Sequence, residues 1–215
     1  MFQLSISAAC AYVRRVLDEL TSVEEIGMLV SPDAVDIHRL VEGAIVEAAV
    51  KIHSLAPSLM LDGVRGVAQE DYDVSVNNKI ITLRMLKDTV RIVSVQASDS
   101  AFVVSDLIPE DSAEGRKQLN MYIRGVPDDP RVVLAKEWNG DHRPVLRYYT
   151  TEASQSEVAL YYVPYPRIEE TIVEICPRLE YAVLNELAAM VLDSLNEHDK
   201  ASLYREKAVK YMEVK

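Results

Sequence analysis

The sequence predicts an α+β protein: a helical bundle from the N- and C-terminal segments, with a central antiparallel β-meander inserted between them. Three observations carry this. Apolar residues recur at steps of three and four near both ends of the 215-residue chain. From about residue 63 to 166 the period becomes alternating, with turn residues at short intervals. Strand-like runs follow one another there without intervening helices, unlike the strand–helix alternation that builds a parallel sheet. The expected parts are residues 1–62 (N-terminal helical part), 63–166 (β-rich insertion with hairpins) and 167–215 (C-terminal helices completing the bundle), forming one compact unit.

The first helix is expected over about Ser7 to Leu20. Ile6, Cys10, Val13, Leu17 and Leu20 fall on one side, and Arg14, Arg15, Asp18 and Glu19 largely on the other. Ser31-Pro32-Asp33 reads as the next helix start, with serine as cap, proline at the first position and an acid facing the positive helix end. That helix runs to about Ser54 along Ile37, Leu40, Val41, Ala44, Ile45, Ala48 and Ile52, and Pro57 ends it.

Asp73 to Val76 and Lys79 to Leu83 read as two strands joined at Asn77-Asn78, because asparagine tolerates the positive φ of a tight hairpin turn. Val90 to Val95 is a strand rich in β-branched residues, and Ala101 to Val104 another. Pro109 to Glu114 has the composition of a short helix start. Strands are expected at Val132 to Trp138 and Val145 to Thr150, around an Asn139-Gly140 turn, and at Val158 to Val163. Pro164 and Pro166 end the sheet.

Pro177 to Leu195 is the most apolar stretch. Its proline suits a first helical turn. Leu184, Leu187, Ala188, Val191, Leu192 and Leu195 line one face, and Val183, Ala189 and Met190 widen it. Such a helix must be covered on more than one side. A last helix is expected over about Asp199 to Met212.

Composition excludes some classes. Apolar residues make up 49% of the chain, which suits a globular protein of one or two domains and not a disordered one. The net charge is −11 and the pI about 4.9, so nucleic acid is not expected as a tightly held ligand. No membrane span and no signal peptide is expected. Cys10 and Cys176 are expected to be reduced thiols.

Catalytic patterns are weak. No phosphate-cradling glycine motif is present. Of His38, His53, His142 and His198, only His38 has a carboxylate one helical turn away, Glu42; solvated neighbours explain that pair more simply than a metal does. Glu169, Glu170 and Glu174 read as the solvated acidic start of the apolar helix rather than as paired catalytic carboxylates. Cys176 has no identifiable histidine partner. No cofactor, metal or catalytic residue is expected. Tyr148, Tyr149, Tyr161, Tyr162 and Tyr165 suit either a core with hydroxyls at its rim or a protein interface.

One ordered set of residues resembles a known family. Leu107-Ile-Pro-Glu-Asp-Ser112, Gln118-Leu-Asn-Met-Tyr122-Ile-Arg124-Gly125-Val-Pro127-Asp-Asp-Pro130 and Leu146-Arg-Tyr-Tyr149 resemble a segment of head–tail connector proteins of tailed bacteriophages. These are the adaptor or ring proteins beneath the portal, and the likeness is nearest to ring proteins of crAss-like phages. Tyr162-Val-Pro-Tyr-Pro166, the Leu187-Ala-Ala-Met step and a final helix with Ala201, Ala208 and Tyr211 continue the pattern, and Val90 to Val95 fits the strand that precedes it. The likeness covers about half the chain. It departs at Ser98-Asp99-Ser100, where the family pattern has a tryptophan.

The resemblance implies a non-enzymatic virion protein, made in the bacterial host cytoplasm. It would assemble into a ring, commonly of twelve subunits, around the channel through which the genome passes. Its expected partners are copies of itself, the portal protein, and neighbouring ring or tail proteins. DNA would pass without sequence-specific binding, and no membrane is involved. Tyr122, Arg124, Pro127, Pro130, Tyr162 and Tyr165 are the expected inter-subunit residues, with Arg124 pairing to an acidic neighbour. The alternatives are another tail-completion component, a bacterial adaptor binding through the tyrosine-rich strands, or a small hydrolase using His38, Glu42 and Glu169 to Glu174.

Overall fold

A computed structural model of the chain describes residues 2–21, 36–61, 65–66, 72–77, 80–97, 100–126, 128–138, 142–149 and 158–213. In chain order the elements are β1 (Phe2–Ser5), α1 (Ile6–Thr21), α2 (Ile37–Leu55), β2 (Arg65–Gly66), β3 (Tyr72–Asn77), β4 (Ile80–Met85), β5 (Thr89–Ala97), β6 (Leu107–Pro109), α3 (Ala113–Lys117), β7 (Arg131–Trp138), β8 (Pro144–Tyr149), β9 (Val158–Pro164), β10 (Ile168–Glu169), β11 (Ile172–Ile175), α4 (Glu180–Ser194) and α5 (His198–Met212). They form two compact units, residues 1–63 with 166–215, and residues 64–165.

In the terminal unit α1, α2 and α5 pack against α4. Pro177 opens a single 3-10 turn that leads into α4, and ten of the 15 residues of α4 are buried. Each large apolar side chain fully removed from water there contributes roughly 1.5–3 kcal/mol. The start of α2 differs from the expected one. Its cap is Asp36, whose carboxylate accepts a hydrogen bond from the Arg39 backbone N–H at 3.1 Å. Ser31-Pro32-Asp33 lies outside the described residues.

The unit is not a pure bundle, because it has its own sheet in the order β1-β11-β10. β1 pairs antiparallel with β11, Phe2 opposite Ile175 and Ser5 opposite Ile172. Glu169, Glu170 and Glu174 therefore belong to a hairpin and not to a helix start, and Glu170 turns the chain at φ 59°. Inside the unit His53 is buried. Its Nε2 accepts the Cys176 backbone N–H at 3.0 Å, so its Nδ1 carries the proton and donates to the Ala49 carbonyl at 2.6 Å.

One carboxylate interrupts the apolar surface of α4. Glu186, only 3% exposed, meets Lys51 Nζ of α2 at 2.6 Å and Arg205 Nε of α5 at 3.7 Å. Arg205 also pairs with Asp193, which accepts from His198 Nδ1 at 3.0 Å. Lys51 is 42% exposed, so screening weakens its share. Lys51→Met is expected to lower the unfolding free energy by about 1–2 kcal/mol, because among the described residues Glu186 then keeps only Arg205 in a dry setting. Urea unfolding checks this, and an unchanged midpoint would refute it.

The central unit is a two-sheet sandwich and not one antiparallel meander. One sheet has the order β2-β9-β5 and the other β3-β4-β8-β7-β6. β5 leaves its chain neighbours to pair with β9, Ile92 opposite Tyr162 and Val95 opposite Leu160, with irregular register beside them. Ile92 and Val95 then face a shared core with Ile81, Leu83, Leu146 and Tyr148 of the other sheet. Burial thus chooses the long-range partner. Tyr72 adds a tie across the sandwich, donating its hydroxyl to the Val158 carbonyl at 2.7 Å. β6 and β7 run parallel, Leu107 opposite Val132. The expected helical bundle with a single meander insertion is therefore corrected to a mixed α/β fold with three sheets, in which strands supply much of the core. Ala101 to Val104 forms no strand, only a bridge between Val104 and Val95.

Candidate functional site

The connection from β6 to β7, two parallel neighbours in the central sheet, has to cross the sheet, and it does so as a built platform. Ser112 caps α3, accepting the Gly115 N–H at 2.9 Å and donating to the Pro109 carbonyl at 2.7 Å. Beneath it Glu110 accepts the Lys136 N–H at 2.7 Å and pairs with Arg147. These contacts, the Lys136 N–H foremost, hold its carboxyl below the usual range.

After α3 the chain forms a closed loop. The buried Gln118 side chain accepts the Gly125 N–H at 2.8 Å. Asn120 accepts the Tyr122 N–H through its side chain at 3.0 Å, and the Ile123 and Arg124 N–H groups through its carbonyl at 3.1 and 3.0 Å. Val126 and Asp129 exchange backbone hydrogen bonds at 2.9 and 3.2 Å. Much of the loop backbone is thereby bonded from within, as in a compact surface loop.

The side chains at the tip face outward. Leu119 is 69% exposed, Met121 64%, Tyr122 87% and Ile123 57%. Scattered exposed apolar residues are ordinary, but four adjoining ones on a pinned loop make a patch that a partner would cover. Behind the tip lies a polar cavity of about 190 Å3, lined by Lys117, Gln118, Arg124, Gly125 and Arg131 among others. Arg131 is engaged by Asp129 at 2.7 Å. Among the described residues, the Nε of Arg124 is buried with no hydrogen-bond partner. Glu114 and Asp129 line the same cavity, so carboxylates of this chain already offset its cations.

The expected interface residues separate. Tyr122 stands at the tip, Arg124 lies behind it, and Pro130 is buried at the start of β7. Pro127 lies outside the described residues. Tyr162 is 0% exposed in the sandwich core and presents no surface. Tyr165 stacks on His142 with centroids 4.4 Å apart and donates its N–H to the Asp88 carbonyl at 3.0 Å. Leu119, Met121 and Ile123 were not singled out by sequence, because neither a helical nor an alternating apolar pattern runs through them. Their flanking Gln118, Asn120 and Gly125 were the usable signal, as residues that close loops.

The enzymatic candidates lie on different elements, His38 and Glu42 on α2 and Glu169, Glu170 and Glu174 in the β10–β11 hairpin. His38 and Glu42 are 3.9 Å apart and both exposed. Among the described residues no group of three or more His, Cys, Asp and Glu could hold a metal ion. Cys10 and Cys176 are free and buried. No helix among the described residues is long and apolar enough to cross a membrane. No protein-family model matches the chain, and no curated protein matches it significantly.

Proposed function

We propose that the protein is a non-enzymatic virion structural protein, a ring subunit of the portal–tail connector of a tailed bacteriophage. The observation that carries this reading is the pinned loop with Leu119, Met121, Tyr122 and Ile123 exposed. It lies inside the segment that resembles ring proteins. An exposed apolar tip is one surface, and the partner that covers it is a different one. Contacts of that head-to-tail kind generate closed rings when the rotation per subunit closes. The net charge of −11 suits a channel that must let DNA pass without holding it. On this reading the partners are further copies, probed as a dodecamer first, and the portal or an adjoining ring or tail protein.

Native mass spectrometry of the purified chain, with cryo-electron microscopy of the chain mixed with virion extract, tests the proposal. Closed rings with an axial channel are expected, formed alone or on a partner's template. A monomer or dimer in both samples, absent from virions, would return the adaptor reading. Met121→Asp with Tyr122→Asp is expected to leave the melting temperature unchanged and to weaken assembly by at least about thirtyfold, since central aromatic anchors carry about 2 kcal/mol or more. Full assembly of that variant would rule out the tip as the contact.

A further inference from the structure

We infer that the loop tip of one copy seats in a groove between α2 and α4 of a second copy. The inference rests on the assembly reading above and names the two halves of its contact. The groove has a volume of about 590 Å3; Leu40, Gly43, Ala44, Met190, Val191 and Leu195 give it an apolar lining, and Asp36, Arg39 and Ser194 complete it. That is within the range of pockets that enclose a ligand, roughly 300–1,000 Å3.

Gly43 is the clue. It sits inside α2, where glycine costs about 1 kcal/mol relative to alanine. Among the described residues, no atom lies within 4 Å of the Cβ that another residue would place there. Packing among the described residues therefore does not require glycine at this position. The open space suits an apolar side chain arriving from outside, and the tip offers four.

Charge favours a second copy as the occupant. From Arg116 to Arg124 the loop carries three cations and no carboxylate, while Glu114 and Asp129 stand at its base, where they line the cavity behind it. The unit that bears the groove, residues 1–63 with 166–215, holds 19 Asp and Glu against 11 Lys and Arg. Exposed Asp36, Glu42 and Glu47 punctuate α2 on both sides of Gly43, outnumbering the exposed Arg39 that lines the groove beside Asp36. A basic, apolar tip meeting an apolar groove in an acidic wall is complementary in both respects. Tip and groove are different surfaces present once on every copy, so each contact leaves one of each free to continue the chain of contacts.

Two single variants of the full chain test the contact, Tyr122→Cys and Gly43→Cys. Native Cys10 and Cys176 are buried and stay out of reach of a short bismaleimide. A cross-linked dimer is expected from the mixture and from neither variant alone. Tyr122→Cys cross-linking to itself would mean tip against tip and overturn the inference. So would rings that form without any tip-to-groove cross-link, although they would leave the ring reading standing. Cross-linked pairs without rings would support the contact while the ring reading fails. Gly43→Trp supplies a second measure. It is expected to fill the groove, keep the melting temperature and weaken assembly at least tenfold. A lowered melting temperature in the monomer would show a groove already filled by its own chain and overturn the inference.

Discussion

Replacing His53 by alanine is expected to lower the unfolding free energy by about 3–4 kcal/mol. Two losses add. The first is a cavity in a packed interior, since His53 is 1% exposed and lies in α2 among buried apolar residues. The second is an orphaned backbone donor. The Cys176 N–H gives its hydrogen bond to His53 Nε2, and without that acceptor a buried donor is left unmade at about 1–3 kcal/mol. The bond also joins α2 to the chain between β11 and α4, so its loss loosens the seat of the most buried helix. His53→Phe restores most of the volume but not the acceptor, and should cost about 1–3 kcal/mol. Guanidinium unfolding of both variants separates the two contributions. Equal and small effects, below about 1 kcal/mol, would mean the imidazole is dispensable.

The same geometry sets a pH dependence. Burial pushes the His53 pKa down, against a smaller upward pull from the Ala49 carbonyl. The unfolded chain therefore binds a proton that the folded chain refuses. Stability from this group is fully present above the unfolded value of about 6.5 and is lost as pH falls through it toward the lower folded value. Glu110 and Asp193 act in another window. Both carboxyls are held below their usual values, near 4.5 and 3.8, so their contributions vanish only at still lower pH. A fall in stability beginning near pH 6.5 and absent in His53→Phe would identify the histidine as its source.

The helices were legible in the sequence because each carries a long apolar stripe. Leu187 and Val191 on α4, or Val41 and Ile45 on α2, repeat the same face over several turns, and all four are buried. The hairpin of β3 and β4 was legible for the same reason at period two. The short strands were not. β10 and β11 span two and four residues, too few to display a period, and Glu169-Glu170 before an apolar run imitates an acidic helix start. Pairing was less legible still. Nothing local in Val90 to Val95 says that β9, more than 60 residues later, is its partner; only the shared burial with the facing sheet decides it. The site shows the limit most plainly. Tyr122 and Tyr162 are the same residue type in adjoining parts of one resemblance, yet one is 87% exposed and the other 0%. The difference lies in what packs against them, which tyrosine alone does not encode.

Alanine at Gly115 or Gly125 is expected to disable the display loop by moving its two feet. At Gly115 an added Cβ would stand 2.3 Å from the Pro109 carbonyl oxygen and 2.9 Å from that of Glu110. At Gly125 it would stand 2.7 Å from both the Arg131 nitrogen and the Tyr149 carbonyl oxygen. These are backbone atoms of β6, β7 and β8 or of the residue following β6, and they cannot swing aside as a side-chain end can. Overpacking of this kind costs about 1–3 kcal/mol and more against rigid backbone. We expect about 3 kcal/mol for Gly115→Ala, the closer approach, and about 2 kcal/mol for Gly125→Ala. The second change bears more directly on assembly. Gly125 gives its N–H to Gln118, so a shift there breaks the bond that closes the loop and releases Arg124 and Tyr122 from their set positions. Gly125→Ala should therefore lose assembly in conditions where Lys51→Met, with a similar loss of stability in the other unit, keeps it. Thermal unfolding and native mass spectrometry on the two variants side by side make the comparison. If both assemble alike, loop geometry does not govern the contact; if only Gly125→Ala fails, the rigid loop is what the neighbouring subunit reads.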